Sequence, residues 1–262
     1  MKDGEFMKNF CFTVDDNIRF LKELTEGSYQ SIFEHPYLSM YRRLHEKFGL
    51  KIQLNLFYRM GEFDLSQMSD RYYEEWKSNS DWLKLSFHSD LENVKPYVEA
   101  GYDEVFTDCK RTNEEICRFA SPSALANTTT IHYCLLTDDG RKAVVDNGVC
   151  GLLGLFGTED DPRTSYGLGE REARRIRNGE VVRGGKLSFA SIDIILNLFS
   201  IDEILEKLEY LKGRSDIRVM IHEQYFYSDY KSYQPEFEKK LEATFHFLLT
   251  HEYVSEFFEN LI

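Results

Sequence analysis

Over residues 9–17, Phe10, Phe12 and Val14 alternate with smaller or polar neighbours, and two adjacent carboxylates, Asp15 and Asp16, follow. This period of two predicts a short buried strand. Helical spacing takes over at 18–24, with Ile18, Leu21 and Leu24 on one side, so the acid pair stands where a strand meets a helix. The same unit recurs along the chain. A helix over 37–48 carries Leu38, Tyr41, Leu44 and Phe48 and is stopped by Gly49. A second strand over 51–58 puts Ile52, Leu54 and Leu56 on one face and Gln53, Asn55 and Phe57 on the other. Residues 70–79 read as a helix, 83–87 as a third strand that delivers His88, and 103–119 as a helix ended by Ser121 and Pro122. Further strands are predicted at 129–133, with His132 near its end, at 151–156, at 192–198 and at 217–221, which runs into His222 and Glu223. Helices are predicted at 202–211 and 236–249.

Strands alternating with helices predict an α/β fold with a parallel sheet. Right-handed crossovers then favour a (β/α) barrel of about seven parallel strands, a distorted TIM-like barrel, as a single domain over 1–262. The glycine-rich, charged segment from 157 to 185 breaks the rhythm, and an insertion of that length, at about 157–188, is expected to act as a lid or binding loop. Within it, 179–185 has the composition of a small hairpin. A barrel gathers the carboxyl ends of its strands around one mouth. Asp15 with Asp16, His88, His132, and His222 with Glu223 would therefore converge from four strands.

Composition narrows the partners. The 262 residues include 45 acids against 32 Lys and Arg, a net charge of -13, which argues against a nucleic-acid partner. The basic cluster at 171–177 is too local to change that. Mean hydropathy is -0.46 and no long apolar run is present, so no membrane partner is expected. The first ten residues hold no leader-like apolar core, and the expected location is cytoplasmic. Five cysteines, without a C-x-x-C pair, are expected to be free and mostly buried thiols. Composition does not indicate an oligomeric state.

Four short stretches carry a family resemblance. FTVDD at 12–16 resembles the F-T-F-D-D opening of NodB-type polysaccharide deacetylases, which fold as distorted (β/α) barrels. QLNLFY at 53–58 is similar to the strand that follows in that family, FHSDLE at 87–92 occupies the place of its metal motif, and VMIH at 219–222 resembles its late histidine strand. The resemblance implies that Asp15 is the general base, Asp16 and His88 are ligands of a divalent metal, and His222 is the general acid. It also shows departures. Asn17 stands where the family has glycine, Glu92 where it has a second metal histidine, and its arginine-proline motif is absent, with His132 in that region. Both Glu92 and His132 are acceptable third ligands, and His132 is preferred because it supplies the missing imidazole. Such a donor set suits Zn²⁺ first, and also Co²⁺, Ni²⁺ or Mn²⁺.

The expected activity is therefore metal-dependent removal of acetyl groups from an acetylated carbohydrate, with Asn55, Glu223 and Tyr225 as substrate contacts. Tyr225, Phe226, Tyr227, Tyr230 and Tyr233 would form either a stacking wall for sugar rings or packing for the last helix. Two rivals remain. A metal-independent glycoside hydrolase would pair Asp15 or Asp16 with Glu223. A barrel without catalysis would only bind carbohydrate.

Overall fold

The computed structural model describes residues 7–92 and 97–262. Residues 1–6, which contain most of the segment read for a leader, lie outside the described residues. The strands are β1 (Lys8–Asn17), β2 (Ile52–Met60), β3 (Phe63–Asp64), β4 (Leu83–Leu91), β5 (Thr128–Thr129), β6 (Gly151–Gly154), β7 (Val182–Gly184), β8 (Leu187–Ser191), β9 (Ile194–Ile195), β10 (Asp216–His222) and β11 (Tyr253–Ser255). Between them run α1 (Arg19–Glu26), α2 (Pro36–Phe48), α3 (Tyr73–Ser78), α4 (Tyr102–Phe119), α5 (Asp138–Asp146), α6 (Glu170–Arg177), α7 (Ile201–Leu211) and α8 (Phe237–Thr250).

Parallel pairing runs through β9, β10, β1, β2 and β4 on one side and through β5, β6 and β8 on the other. Two seams join these sheets. Leu85 of β4 bridges Leu125 in parallel, and the Ala126 amide donates to the Leu85 carbonyl at 2.8 Å. On the far side β8 continues towards β9: the Ile192 amide bonds Gly154 of β6 at 2.8 Å, and the Asp193 amide bonds Arg218 of β10 at 2.9 Å. The circuit closes through seven parallel staves, namely β1, β2, β4, β5, β6, the kinked β8–β9 and β10. This is the expected barrel, distorted because β5 pairs over two residues and one stave breaks at 192–193.

Helices pack outside it through apolar stripes such as Tyr37, Leu38, Tyr41 and Leu44 of α2, all buried. α7 begins with a capping box in which Ser200 and Glu203 satisfy each other's backbone amides. The five cysteines are free, and no helix among the described residues is long and apolar enough to cross a membrane.

Two expectations need correction. The sixth strand was expected at 192–198, whereas strand pairing occupies 187–191 and 194–195, and Leu196–Leu198 is a 3₁₀ turn. All of β8 is buried, with Leu187 and Phe189 in one apolar cluster and Ala190 in another, so both of its faces are covered. Strand pairing at 129–133 stops after Thr129, because Tyr133 and Cys134 turn the chain with positive φ of 58° and 56°. After α8, β11 pairs in parallel with the start of β1.

The segment 157–185 is tied into the barrel wall through Tyr166. Tyr166 is fully buried, and its hydroxyl accepts from the Ile131 amide at 3.2 Å and donates to the Leu153 carbonyl at 2.5 Å. Its hairpin is β7 with β8, turning at Gly185, whose φ of 66° suits glycine.

Candidate metal centre and active site

Neighbouring residues of a regular strand face opposite ways, so Asp15 and Asp16 cannot both face the barrel interior without a break in β1. The break is present. The β1–β2 register shifts between Val14 and Asn17, and Asp16 takes a left-handed conformation with φ of 63°, which Asp tolerates better than most residues. His88 is placed in a similar way. Leu56 pairs with Phe87 and Phe57 with Ser89, which leaves His88 as the extra residue of a bulge in β4. The turn after β5 supplies His132. These side chains line one cavity of about 400 Å³ together with Glu92, His222, Gln224 and Tyr225. No residue of 157–185 lines it.

Asp16 Oδ1, His88 Nε2 and His132 Nδ1 form a triangle with sides of 3.1, 3.1 and 3.3 Å. Three ligands of a tetrahedral ion at bonds of about 2.0 Å would stand about 3.3 Å apart, so the triangle fits a transition-metal cation. His88 Nδ1 lies 2.5 Å from the Thr130 carbonyl, a contact that requires its proton there and leaves the lone pair of Nε2 available to a cation. Glu92 lines the cavity wall outside this triad.

Electrostatics agree with a cation site. Burial works against ionisation of Asp16, but the hydrogen bonds to His132 and His88 hold its carboxyl well below the usual range. Burial would lower His88, yet Asp15 and Asp16 outweigh it and raise its pKa above 6.5. Asp15 is raised, chiefly by burial, against the pull of His88 and His222.

Asp15 and His222 are direct register partners on the adjacent staves β1 and β10. Asn55 Nδ2 donates to Asp15 Oδ1 at 2.6 Å, and Asn55 Oδ1 in turn accepts from Gln53 Nε2 at 2.8 Å and Ser86 Oγ at 2.5 Å. Gln53 reaches the Thr128 carbonyl at 2.8 Å, so a buried polar chain spans β1, β2, β4 and β5 and fixes the Asp15 carboxylate. His222 Nδ1 lies 2.8 Å from Asn197 Oδ1, which makes Nδ1 a donor and directs Nε2 to other work.

The sequence matches no protein-family model and no curated protein. Solved structures do share its architecture. A polysaccharide deacetylase from Bacillus cereus is similar with a TM-score of 0.51 at 12% identity, over 96% of this chain and 92% of that one. A protein from Mycobacterium smegmatis assigned as a polysaccharide deacetylase has a TM-score of 0.56 at 11% identity, over 100% of this chain and 91% of that one. This chain has the fold of the polysaccharide deacetylases. A 4-alpha-glucanotransferase from Thermococcus litoralis is also similar, with a TM-score of 0.61 at 13% identity, over 97% of this chain and 40% of that one. Proteins with two different names on carbohydrate share the architecture, so the side chains, not the fold, must decide the chemistry.

Two of the residues expected to contact substrate, Asn55 and Glu223, are not among those that line this cavity. Asn55 is fully buried and has its amide committed to Asp15, Gln53 and Ser86. Glu223 is 1% exposed. Its carboxylate accepts from the Ile18, Arg19 and Phe20 amides at 2.7, 3.0 and 2.8 Å and from the Tyr227 hydroxyl at 3.0 Å, so it caps α1 across the chain. The glycosidase pairing of Asp15 or Asp16 with Glu223 loses its second carboxylate for the same reason. Glu223→Ala is expected to cost about 2–4 kcal/mol by leaving buried amides without an acceptor. A lowered melting temperature checks this, and an unchanged one with a raised KM would return Glu223 to the substrate.

Tyr225 does line the cavity, with Tyr230 edge-on to it at 5.3 Å. Sequence reasoning missed Asn197 and Gln224. Asn197 left a trace, as a polar residue interrupting an apolar run, whereas Gln224 had none beyond following His222 by two positions.

Proposed function

We propose that this chain is a metal-dependent deacetylase that removes acetyl groups from an acetylated carbohydrate. The reading is supported above all by the Asp16–His88–His132 triangle standing beside an Asp15–His222 pair on adjacent staves. Asp16, His88 and His132 would hold the cation, with Zn²⁺ the first choice for two imidazoles and a carboxylate and Co²⁺, Ni²⁺ or Mn²⁺ as alternatives. When bound, the cation polarises the acetyl carbonyl and lowers the pKa of water.

The protein's own groups complete the reaction. Asp15, held by Asn55, takes a proton from the water that attacks the acetyl carbon. His222, oriented through Nδ1 by Asn197, gives a proton to the departing amine or alcohol as its bond to the acetyl carbon breaks, and acetate is released. Tyr225 and Tyr230 offer aromatic faces against which a sugar ring stacks.

Acetate release from N-acetylated and O-acetylated oligosaccharides, with and without chelator and with Zn²⁺ or Co²⁺ restored, tests the reading. Turnover that ignores the chelator would sink the metal dependence. Cation binding without turnover of any acetylated glycan would favour a barrel that only binds carbohydrate.

Cation affinity should fall on acidification. His88 must be neutral at Nε2 to bind, and its pKa is raised, so below that pKa a proton competes with the cation. The affinity should drop about tenfold per pH unit there, as read by Co²⁺ titration at several pH values. A pH-independent affinity would show that His88 is no ligand.

A further inference from the structure

Gln224 is absent from the catalytic and metal roles above, yet it meets the third member of the triad directly. Its Nε2 donates to Asp16 Oδ2 at 2.8 Å, the carboxylate oxygen that does not face the two histidines. Its Oε1 is buried and has no hydrogen-bond partner among the described residues. An unpartnered buried carbonyl is a cost, so the bond to Asp16 is what the polar head of this side chain recovers. Turning the amide over would bring Oε1 against the carboxylate, which fixes the donor face.

The backbone under Gln224 is equally fixed. It lies in the 3₁₀ turn Glu223–Phe226, and the preceding Glu223 carboxylate is tied to the amides of Ile18, Arg19 and Phe20, just beyond the end of β1. Asp16 is two residues before Ile18. The start of α1 therefore locks the turn that carries Gln224, and that turn reaches back to Asp16.

We propose that Gln224 is a positioning residue for the metal centre: it holds Asp16 by Oδ2 so that Oδ1 alone is presented to the cation beside His88 and His132. The proposal rests on the reading of that triad as a metal site. Gln224 acts through Asp16 and takes no part in proton transfer.

Gln224→Met and Gln224→Leu both remove the donor while filling the amide's volume in different shapes, so a packing effect would differ between them and loss of the donor is common to both. Co²⁺ serves as the probe in the full chain, with chelator competition for affinity, visible absorption for ligand geometry and thermal melting of the metal-free protein for folding. Loss of an outer-sphere partner of a metal ligand weakens binding about 10–100-fold, and a drop in that range with an altered Co²⁺ spectrum is expected in both variants. Unchanged affinity and spectrum in either folded variant would overturn the proposal. A wild-type protein that binds no Co²⁺ would instead overturn the metal reading, and this proposal with it.

Discussion

His88→Ala should strip the protein of its divalent cation and of acetyl release together. His88 Nε2 is 3.1 Å from both Asp16 Oδ1 and His132 Nδ1, so its removal takes away one corner of the triangle and leaves two ligands. Metal polarisation of a carbonyl contributes several kcal/mol to transition-state stabilisation, which sets the expected loss of rate at about 10³-fold or more. Elemental analysis of the purified variant and acetate release measured on the same sample check both halves. His132→Ala should behave alike, whereas Glu92→Ala should retain the cation because Glu92 lies outside the triad. Cation loss in Glu92→Ala, with His132→Ala fully loaded, would exchange their roles.

His222→Ala should give the opposite pattern, a protein with full metal content and little turnover. Its ring stands on β10 beside Asp15 of β1 and bonds Asn197, with no contact to the triad among its hydrogen bonds. A positioned general acid contributes about 10²–10⁴-fold, so kcat should fall by that factor. The rate profile of the wild type against pH should be bell-shaped, and the variant should lose the alkaline limb, which reports deprotonation of the acid. Loss of the cation in this variant would make His222 a ligand. A profile that keeps its alkaline limb would move the acid elsewhere.

Much of this was readable one stretch at a time. The alternation of Phe10, Phe12 and Val14, the helical spacing of Leu38, Tyr41 and Leu44, and the polar residues ending successive strands are local patterns, and burial at one period or another wrote them into the chain. β8 is buried on both faces and its apolar Leu187 and Phe189 make too short a run to mark a strand, so the longer apolar run at 192–198 predicts the stave that lies at 187–191. The same limit applies to 157–185. Its glycines and charges mark an irregular insertion, while the long-range bonds of Tyr166 that tie it to the wall have no local signature.

The amino-acid sequence by itself determined the alternation of strands and helices, the parallel barrel that such alternation favours, and the candidates Asp15, Asp16, His88, His132 and His222, because these follow from side-chain type and near-neighbour spacing. Tertiary structure alone decided which of them meet and how. Two bulges turn Asp16 and His88 into the lumen, barrel closure brings His132 and not Glu92 into the triad, and Asn55, Glu223 and Gln224 become supports for residues far away in the chain. Those outcomes depend on backbone breaks and on contacts across as many as 208 positions, such as that of Gln224 with Asp16. A polar side chain carries no mark of its partner until the fold removes it from water, when burial makes the hydrogen bond it finds the decisive term.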